Sequence, residues 1–220
     1  MAFSISPTDL NLMEDCSRCF WLDKHHIWNR SRGIFSSLPS GMDKIIKAHF
    51  DVFRRRGELP PELAREQACS GMFLFNENDI LKKWQNNFNG ISYVDPKGNR
   101  FRGAVDNLLV NSENLVVLDY KTRGFPLKSD SASYYQLQLD SYNYLLRKNG
   151  RKTENYSFLL FYIPSSVDEV GKFIFNTTLI KLETDPKRAE NKWAESLVLL
   201  NSACPEKECG HCEGRGNKLK

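Results

Sequence analysis

The sequence lacks a hydrophobic run long enough to cross a bilayer, and its start lacks the features of a secretory signal. Its longest clean apolar stretch runs only from Phe158 to Ile163, whereas a transmembrane helix needs roughly 20 apolar residues. The first residues contain no basic segment followed by an apolar block. We therefore expect a cytoplasmic protein.

The chain has only a small excess of positive charge. It contains 31 lysines and arginines and 27 aspartates and glutamates, which gives a net charge of +4. That balance permits a polyanionic partner but does not require one. The chain has no internal repeat and no low-complexity segment, which argues against repeat and disordered architectures. Its 220 residues, 40% of them hydrophobic, predict a single globular domain over residues 1–220 with a substantial core.

The six cysteines are expected to bind metal rather than to form disulfides, given a cytoplasmic location. Four of them form two CxxC pairs, Cys16-Ser-Arg-Cys19 and Cys209-Gly-His-Cys212. A two-residue gap lets both sulfurs of a pair face one ion or cluster. The pairs lie near opposite ends of the chain, so the site is predicted to join the first helix to the tail. Four cysteines suit zinc and a four-iron cluster equally well.

Helices and strands alternate in blocks along the chain. Capping signals predict helix starts at Ser6-Pro7-Thr8-Asp9, Ser40-Gly41-Met42-Asp43 and Thr184-Asp185-Pro186. Further helices are predicted after Pro60 and over 79–87 and 133–149, and strands over 91–94, 101–110, 115–121, 156–163 and 172–183. The first three strands are predicted to form an antiparallel meander, and the strand over 156–163 to be central. This order predicts an α/β (α+β) fold, with helices packed on a mixed sheet.

Polar side chains at the end of one apolar strand suggest an active site. Because strand side chains alternate between faces, Asp119 and Lys121 point the same way. A hairpin can bring Asp106, from the preceding strand, beside Asp119. Two adjacent carboxylates repel unless a cation lies between them, and Mg²⁺ or Mn²⁺ suits such oxygen ligands. Lys121 could then orient water or offset charge on a phosphate, although an Asp-x-Lys segment alone is often only a solvated pair.

The helix after this strand carries Gln138 and Tyr142 one turn apart on the same face. A glutamine amide can donate to a phosphate oxygen, and a tyrosine can hydrogen-bond or stack on a base. The alternative is an ordinary helix with a polar outer face.

The ordered segments Gly-x-x-Asp106, Asp119-x-Lys121 and Gln138-xxx-Tyr142 resemble the PD-(D/E)XK nuclease superfamily in its RecB-type branch, which includes CRISPR-associated exonucleases and the AddB nuclease domain. The resemblance implies a restriction-endonuclease-like mixed central sheet flanked by helices. It implies that Asp106 and Asp119 bind metal, that Lys121 is the catalytic lysine, and that Gln138 and Tyr142 form the helix motif. The implied activity is metal-dependent hydrolysis of DNA, in repair, recombination or CRISPR-type processing.

The sequence departs from that branch at one position. The branch has a histidine metal ligand on an early helix, about four residues after a glycine, but the residue at that distance from Gly41 is Ile45. Asp43 and His49 lie on the same predicted helix, and neither fits the spacing. A catalytically inactive nucleic-acid-binding or scaffolding protein with a structural cysteine site therefore stays open as the alternative.

The same branch carries an iron-sulfur cluster, with one cysteine before the nuclease core and three after it. The resemblance would place Cys16, Cys204, Cys209 and Cys212 in those roles. Cys19 makes five candidates for four places, and the simpler spacing of two CxxC pairs favours Cys16, Cys19, Cys209 and Cys212.

Overall fold

In a computed structural model, which describes residues 1–31, 33 and 37–214, the chain forms two sheets with helices packed on them. The helices span Pro7–Asp15 (α1), Ser17–Lys24 (α2), Ser37–Arg56 (α3), Pro61–Ala64 (α4), Asn78–Trp84 (α5), Gln136–Lys148 (α6) and Pro186–Leu200 (α7). The strands span Ser4–Ile5 (β1), Phe73–Leu74 (β2), Ile91–Val94 (β3), Arg100–Gly103 (β4), Asn107–Asn111 (β5), Asn114–Thr122 (β6), Tyr156–Val167 (β7) and Phe173–Glu183 (β8). The predicted fold class, a mixed α/β arrangement with helices flanking the sheet, is confirmed.

The larger sheet has the strand order β2-β5-β6-β7-β8, and the smaller one has the order β1-β4-β3. Strands β6 and β7 are parallel, and the other neighbours in the larger sheet are antiparallel. A parallel pair needs a crossover connection, which here contains α6. The crossover places α6 beside β6, the strand that carries Asp119 and Lys121.

The buried side chains of β6 divide between the two faces of the sheet with period two, as expected for a strand covered on both sides. Leu115 and Val117 belong to the core cluster that also contains residues of α1, α6 and α7. Val116, Leu118 and Tyr120 belong to a second cluster, with residues of α3. The sheet is therefore covered on both faces, and Asp119 lies on the α6 side.

Two predicted helix starts are confirmed by their cap geometry. At α1 the Asp9 backbone N–H donates to Ser6 Oγ at 3.4 Å, and the Ser6 N–H donates to Asp9 Oδ2 at 2.7 Å. At α7 the Asp185 carboxylate accepts the Lys187 N–H at 2.9 Å, and Pro186 occupies the first turn. These side chains satisfy N–H groups that have no partner within the helix.

The predicted helix start at Ser40 is wrong, because α3 begins at Ser37 and Ser40–Asp43 lies inside it. Pro39 falls within the first turn, where a helix tolerates proline because the first N–H groups have no intrahelical partner. Helix α3 ends at Arg56, and Gly57 follows it with φ +71°, a conformation that glycine adopts without steric cost.

The single strand predicted over 101–110 is also wrong, and so is the three-stranded meander that included it. The chain leaves the smaller sheet after Gly103 and enters the larger one at Asn107. Between them, the Val105 N–H donates to the Trp84 carbonyl at 3.1 Å, and Gln85 Nε2 donates to the Asp106 carbonyl at 2.7 Å. The backbone therefore bonds to the end of α5 instead of to a neighbouring strand, and Asp106 lies just before β5.

The strand predicted to be central, β7, lies inside the larger sheet between β6 and β8, while β6 is the middle strand. Among the described residues, no helix has both the length and the apolar character needed to span a membrane.

Candidate active site and cysteine centre

Asp119 and Lys121 lie near the end of β6 and face α6, as the strand alternation predicts. The Asp119 side chain is 1% exposed, and Lys121 Nζ lies 2.5 Å from Asp119 Oδ2. The Lys121 ammonium also lies 4.3 Å from the centre of the Tyr135 ring. Burial lowers the pKa of Lys121, but the Asp119 carboxylate outweighs that effect and raises the pKa overall. Lys121 is therefore a fixed positive charge at this site.

Asp106 lies immediately before β5, the strand that pairs with β6 on the side away from β7. The register pairs Asn107 with Leu118, so Asp106 comes next to Asp119 at the end of the ladder. Asp106 Oδ2 accepts the backbone N–H of Tyr120 at 3.0 Å, which fixes the direction of the carboxylate. The expected pairing of the two acids is therefore present, although Asp106 precedes its strand instead of lying within it.

The electrostatics of the two acids favour a cation between them. Burial raises the pKa of Asp119, the Asp106 carboxylate raises it further and Lys121 opposes both, with a result of about 7. A carboxyl group held near neutrality by a second carboxylate is the situation that a divalent ion relieves. Asp106 and Asp119 therefore fit Mg²⁺ or Mn²⁺, both of which prefer oxygen ligands.

The raised pKa of Asp119 predicts how the stability of the metal-free protein depends on pH. The pKa of Asp119 in the folded state, about 7, lies above the usual pKa of an aspartate, so the folded state binds the proton more tightly than the unfolded chain. This group's contribution to stability is then present at low pH and is lost as the pH rises through 7. We expect the metal-free protein to melt at a higher temperature at pH 6 than at pH 8, and the difference to shrink in Asp119→Asn. Equal pH responses of the two proteins would contradict this assignment.

Gln138 on α6 links the acidic pair to the rest of the helix. Its Nε2 donates to Asp119 Oδ1 at 3.2 Å and to the Tyr142 hydroxyl at 2.7 Å, and its Oε1 accepts from Lys121 Nζ at 3.2 Å. The amide thus contacts three of the predicted site residues. It orients both the acid and the lysine.

Tyr142 is 5% exposed, so a base could not stack on it without rearrangement. A methyl group added at Gly103 would lie 2.7 Å from its ring, and only glycine allows this close approach of β4 to α6. Burial and the two nearby carboxylates raise the pKa of Tyr142 well above its usual value. Tyr142 is therefore a neutral hydroxyl that accepts from Gln138. Of its two expected roles, the hydrogen-bonding one fits this geometry.

The candidates for a third ligand on α3 have different surroundings. Ile45 is 70% exposed, and His49 Nε2 lies 3.0 Å from Glu62 Oε1. Asp43 reaches the site indirectly, through Lys47, whose Nζ lies 2.9 Å from Asp43 Oδ2 and 3.2 Å from Asp106 Oδ1. Burial lowers the pKa of Lys47, but Asp106 and Asp43 raise it overall. A lysine ammonium thus lies between these two acids.

Lys47 and a divalent ion would compete for Asp106, so the variant Lys47→Gln is expected to bind Mn²⁺ more tightly. Removing one partly exposed positive charge should change the affinity about tenfold, or about 1.4 kcal/mol. Titration calorimetry at pH 8 measures this, with Lys44→Gln, an exposed lysine on the same helix, as the matched control. Weaker binding by Lys47→Gln would mean instead that Lys47 holds the acids in place for the metal.

The second predicted site brings the two ends of the chain together. Cys16, Cys19, Cys209 and Cys212 have sulfur atoms that all lie within 4.8 Å of one another. Burial raises the pKa of Cys19 to about 12, whereas the backbone N–H groups of His211 and Cys212 lower that of Cys209 to about 6. All six cysteines are free thiols in the structure. The four-cysteine group joins the N-cap of α2 to the tail.

A comparison with known protein families identifies the superfamily of this chain. The family model of the PD-(D/E)XK nuclease superfamily matches residues 31–216. The chain belongs to this superfamily. Its members are nucleases that hydrolyse phosphodiester bonds with the help of divalent metals, so a nucleic acid is the class of substrate.

This PD-(D/E)XK protein was also compared with solved structures and with curated proteins. The crystal structure of SSO0001 is similar at 15% sequence identity, with 96% of this chain and 84% of that chain covered and a TM-score of 0.43. No curated protein matches the sequence.

Sequence reasoning missed two residues of the PD-(D/E)XK site. The first is Lys47. Its spacing from Asp43 is that of an i,i+4 ion pair, which could have indicated a cation on this face of the helix. Tyr135, whose ring lies against Lys121, lies three residues before Gln138, and no pattern distinguishes it from its neighbour Tyr134.

The chain has isoleucine, Ile45, where the RecB-type branch has its early-helix histidine ligand. Neither Ile45 nor His49 contacts Asp106 or Asp119 among the interactions of the described residues. The two carboxylates that come together here are therefore those of Asp106 and Asp119, and Lys47 separates the Asp43 carboxylate from Asp106.

Proposed function

We propose that this protein is a divalent-metal-dependent DNA nuclease of the RecB-type branch, which acts in DNA repair, recombination or CRISPR-type processing. The observation that carries the proposal is the convergence of Asp106, Asp119, Lys121 and Gln138 from three separate segments at one end of β6. These are the groups that metal-assisted phosphodiester hydrolysis needs, namely carboxylate ligands, a cation and a hydrogen-bonding amide.

Each residue has a role that follows from its contacts. Asp106 and Asp119 would hold Mg²⁺ or Mn²⁺, and the bound metal would supply an activated water and offset charge on the phosphate. Lys121, kept charged beside Asp119, offers its positive charge to the phosphate. Gln138 keeps Lys121 and Asp119 oriented, and Tyr142 holds Gln138 through its hydroxyl. We assign the four cysteines to a second metal site, for zinc or an iron-sulfur cluster, that joins the two ends of the chain.

The test is cleavage of labelled single- and double-stranded DNA by anaerobically purified protein, with Mg²⁺, with Mn²⁺ and with a chelator. We expect metal-dependent cutting that falls by at least about 100-fold in Asp119→Asn, since this substitution keeps the side-chain shape but removes a ligand charge. His49→Ala is the matched control. His49 lies on α3, as Lys47 does, but it pairs with Glu62 of α4, so this substitution should leave cutting unchanged.

A second candidate function is supported by Lys47, which pairs with Asp106 at the place where a metal would bind. A protein that keeps this ion pair could bind nucleic acid or act as a scaffold without cutting it. The nuclease proposal would be refuted if the folded protein failed to cleave DNA with Mg²⁺ and also with Mn²⁺. If the same protein still retards DNA, with an affinity that falls as salt rises, the binding function replaces it.

A further inference from the structure

The four cysteine sulfurs form a compact group, in which no two sulfur atoms are more than 4.8 Å apart. Three of the sulfur–sulfur distances are 3.5 Å between Cys19 and Cys209, 3.7 Å between Cys209 and Cys212, and 3.9 Å between Cys16 and Cys212. A single tetrahedral ion with metal–sulfur bonds of about 2.3 Å holds its sulfurs about 3.8 Å apart. The three distances agree with that edge length, and they are far too long for a disulfide.

An iron-sulfur cluster would need a more open arrangement. In a four-iron cluster each thiolate binds a different iron, so four irons and four sulfides lie between the cysteine sulfurs. Here all four sulfurs lie within 4.8 Å of one another. That space holds one ion at its centre and cannot hold an eight-atom cluster without moving the segments that carry the cysteines.

Cys204, the cysteine that the resemblance would use in place of Cys19, has other partners. Arg18 Nη1 donates to the Cys204 sulfur at 3.5 Å, and the thiol itself faces the Pro205 carbonyl at 3.7 Å. It is not among the cysteines that come together as a possible metal site in the described part of the chain. The arrangement of one cysteine before the core and three after it is therefore not the one assembled.

The backbone around each CxxC pair supports thiolate ligands. The Cys19 N–H points to the Cys16 sulfur at 3.4 Å, and the Cys209 N–H points to the Cys212 sulfur at 3.2 Å. Cys16 is also the N-cap of α2, where the helix dipole favours a negative group. Arg30 Nη2 lies 3.6 Å from the Cys209 sulfur, and its charge offsets part of the net negative charge that four thiolates leave on a divalent ion.

We infer that Cys16, Cys19, Cys209 and Cys212 bind one mononuclear tetrahedral ion of the zinc class, with Cys204 outside the ligand set. This inference deepens the proposed cysteine metal site and does not depend on the nuclease activity.

Metal analysis of the full chain, purified anaerobically from cells supplied with both iron and zinc, tests the inference directly. We expect one zinc per chain, no acid-labile sulfide and no visible colour. Replacement of the zinc by Co²⁺ should give the intense visible absorption of a tetrahedral ion with four thiolates, at one Co²⁺ per chain. About four irons with matching sulfide would overturn the inference, and so would wild-type protein that takes up neither Zn²⁺ nor Co²⁺ on titration.

Two matched variants test which cysteines are ligands. Cys204→Ser should keep one Co²⁺ per chain and the wild-type spectrum, whereas Cys19→Ser should lose the four-thiolate spectrum. The reverse pattern would overturn the ligand set in favour of the one that the resemblance implies. Since Cys19→Ser could fail to fold, the Cys204→Ser spectrum decides independently, because loss of the four-thiolate signal there is sufficient to reject the assignment. Neither readout depends on DNA cleavage, so failure of the nuclease proposal would be recognised separately.

Discussion

Replacing Lys121 by alanine is expected to reduce metal-dependent DNA cleavage by about 10²- to 10⁴-fold, the range found when a positioned catalytic cation or hydrogen-bond donor is removed. Lys121 Nζ is held between Asp119 Oδ2 at 2.5 Å and Gln138 Oε1 at 3.2 Å. The charge is therefore already oriented before substrate arrives. Because an oriented charge acts mainly on the transition state, the loss should fall on kcat more than on KM.

The matched control is Lys152→Ala. Lys152 is an exposed lysine whose ammonium pairs with Glu113 on the surface at 3.0 Å, and its loss should leave kcat unchanged. The melting temperature of Lys121→Ala should be compared near pH 6, where Asp119 can bind a proton to replace the lost ion pair. Cleavage by folded Lys121→Ala within a factor of about three of wild type would remove Lys121 from the chemistry.

The parts of the site that lie on one regular element could be predicted from the sequence. Period two along a strand is enough to place Asp119 and Lys121 on one face, and helical spacing is enough to stack Gln138 and Tyr142. Each prediction needs only the local geometry of a single element, and the structure agrees with it.

What could not be predicted depends on how separate elements meet. The break after Gly103 follows from hydrogen bonds of Val105 and Asp106 to the end of α5, 21 residues earlier in the chain. The ion pair between Lys47 and Asp106 requires α3 to lie across the end of β6, which no local pattern contains. The buried state of Tyr142 depends on the close approach of Gly103.

The cysteines illustrate the same division. The CxxC spacing predicts that each pair can share an ion, because two residues between ligands let both sulfurs turn the same way. It does not say whether Cys19 or Cys204 completes the set, nor how far apart the two pairs lie. Those answers come from the position of the tail against α2, where Arg18 bonds the Pro205 carbonyl at 2.7 Å.

Removal of the metal from the cysteine site is expected to release the tail, residues 203–214, while the central strands stay folded. The cysteines form a core cluster of their own with Leu22, separate from the clusters that cover the sheet. Apart from the metal ligands, the tail is held by contacts such as those of Arg18, a buried side chain that pairs with Glu208 at 3.4 Å and donates to the Pro205 carbonyl at 2.7 Å. Hydrogen bonds of a charged group contribute only about 1.5–3 kcal/mol each. Structural zinc sites contribute apparent free energies of about 10–16 kcal/mol in small peptides, so the metal should be the main link between the two ends.

Hydrogen exchange after chelation measures this release. Amides of the tail should exchange at least about 100-fold faster, which corresponds to a loss of only about 3 kcal/mol of local stability. Protection in β6 and β7 should persist, because those strands lie inside the larger sheet and are packed on both faces. Helix α2 should respond in part, since Cys16 and Cys19 flank its start while Phe20 is anchored in the main core. Equal loss of protection in β6 and in the tail would contradict this expectation, because it would mean that the metal site and the sheet unfold as one cooperative unit.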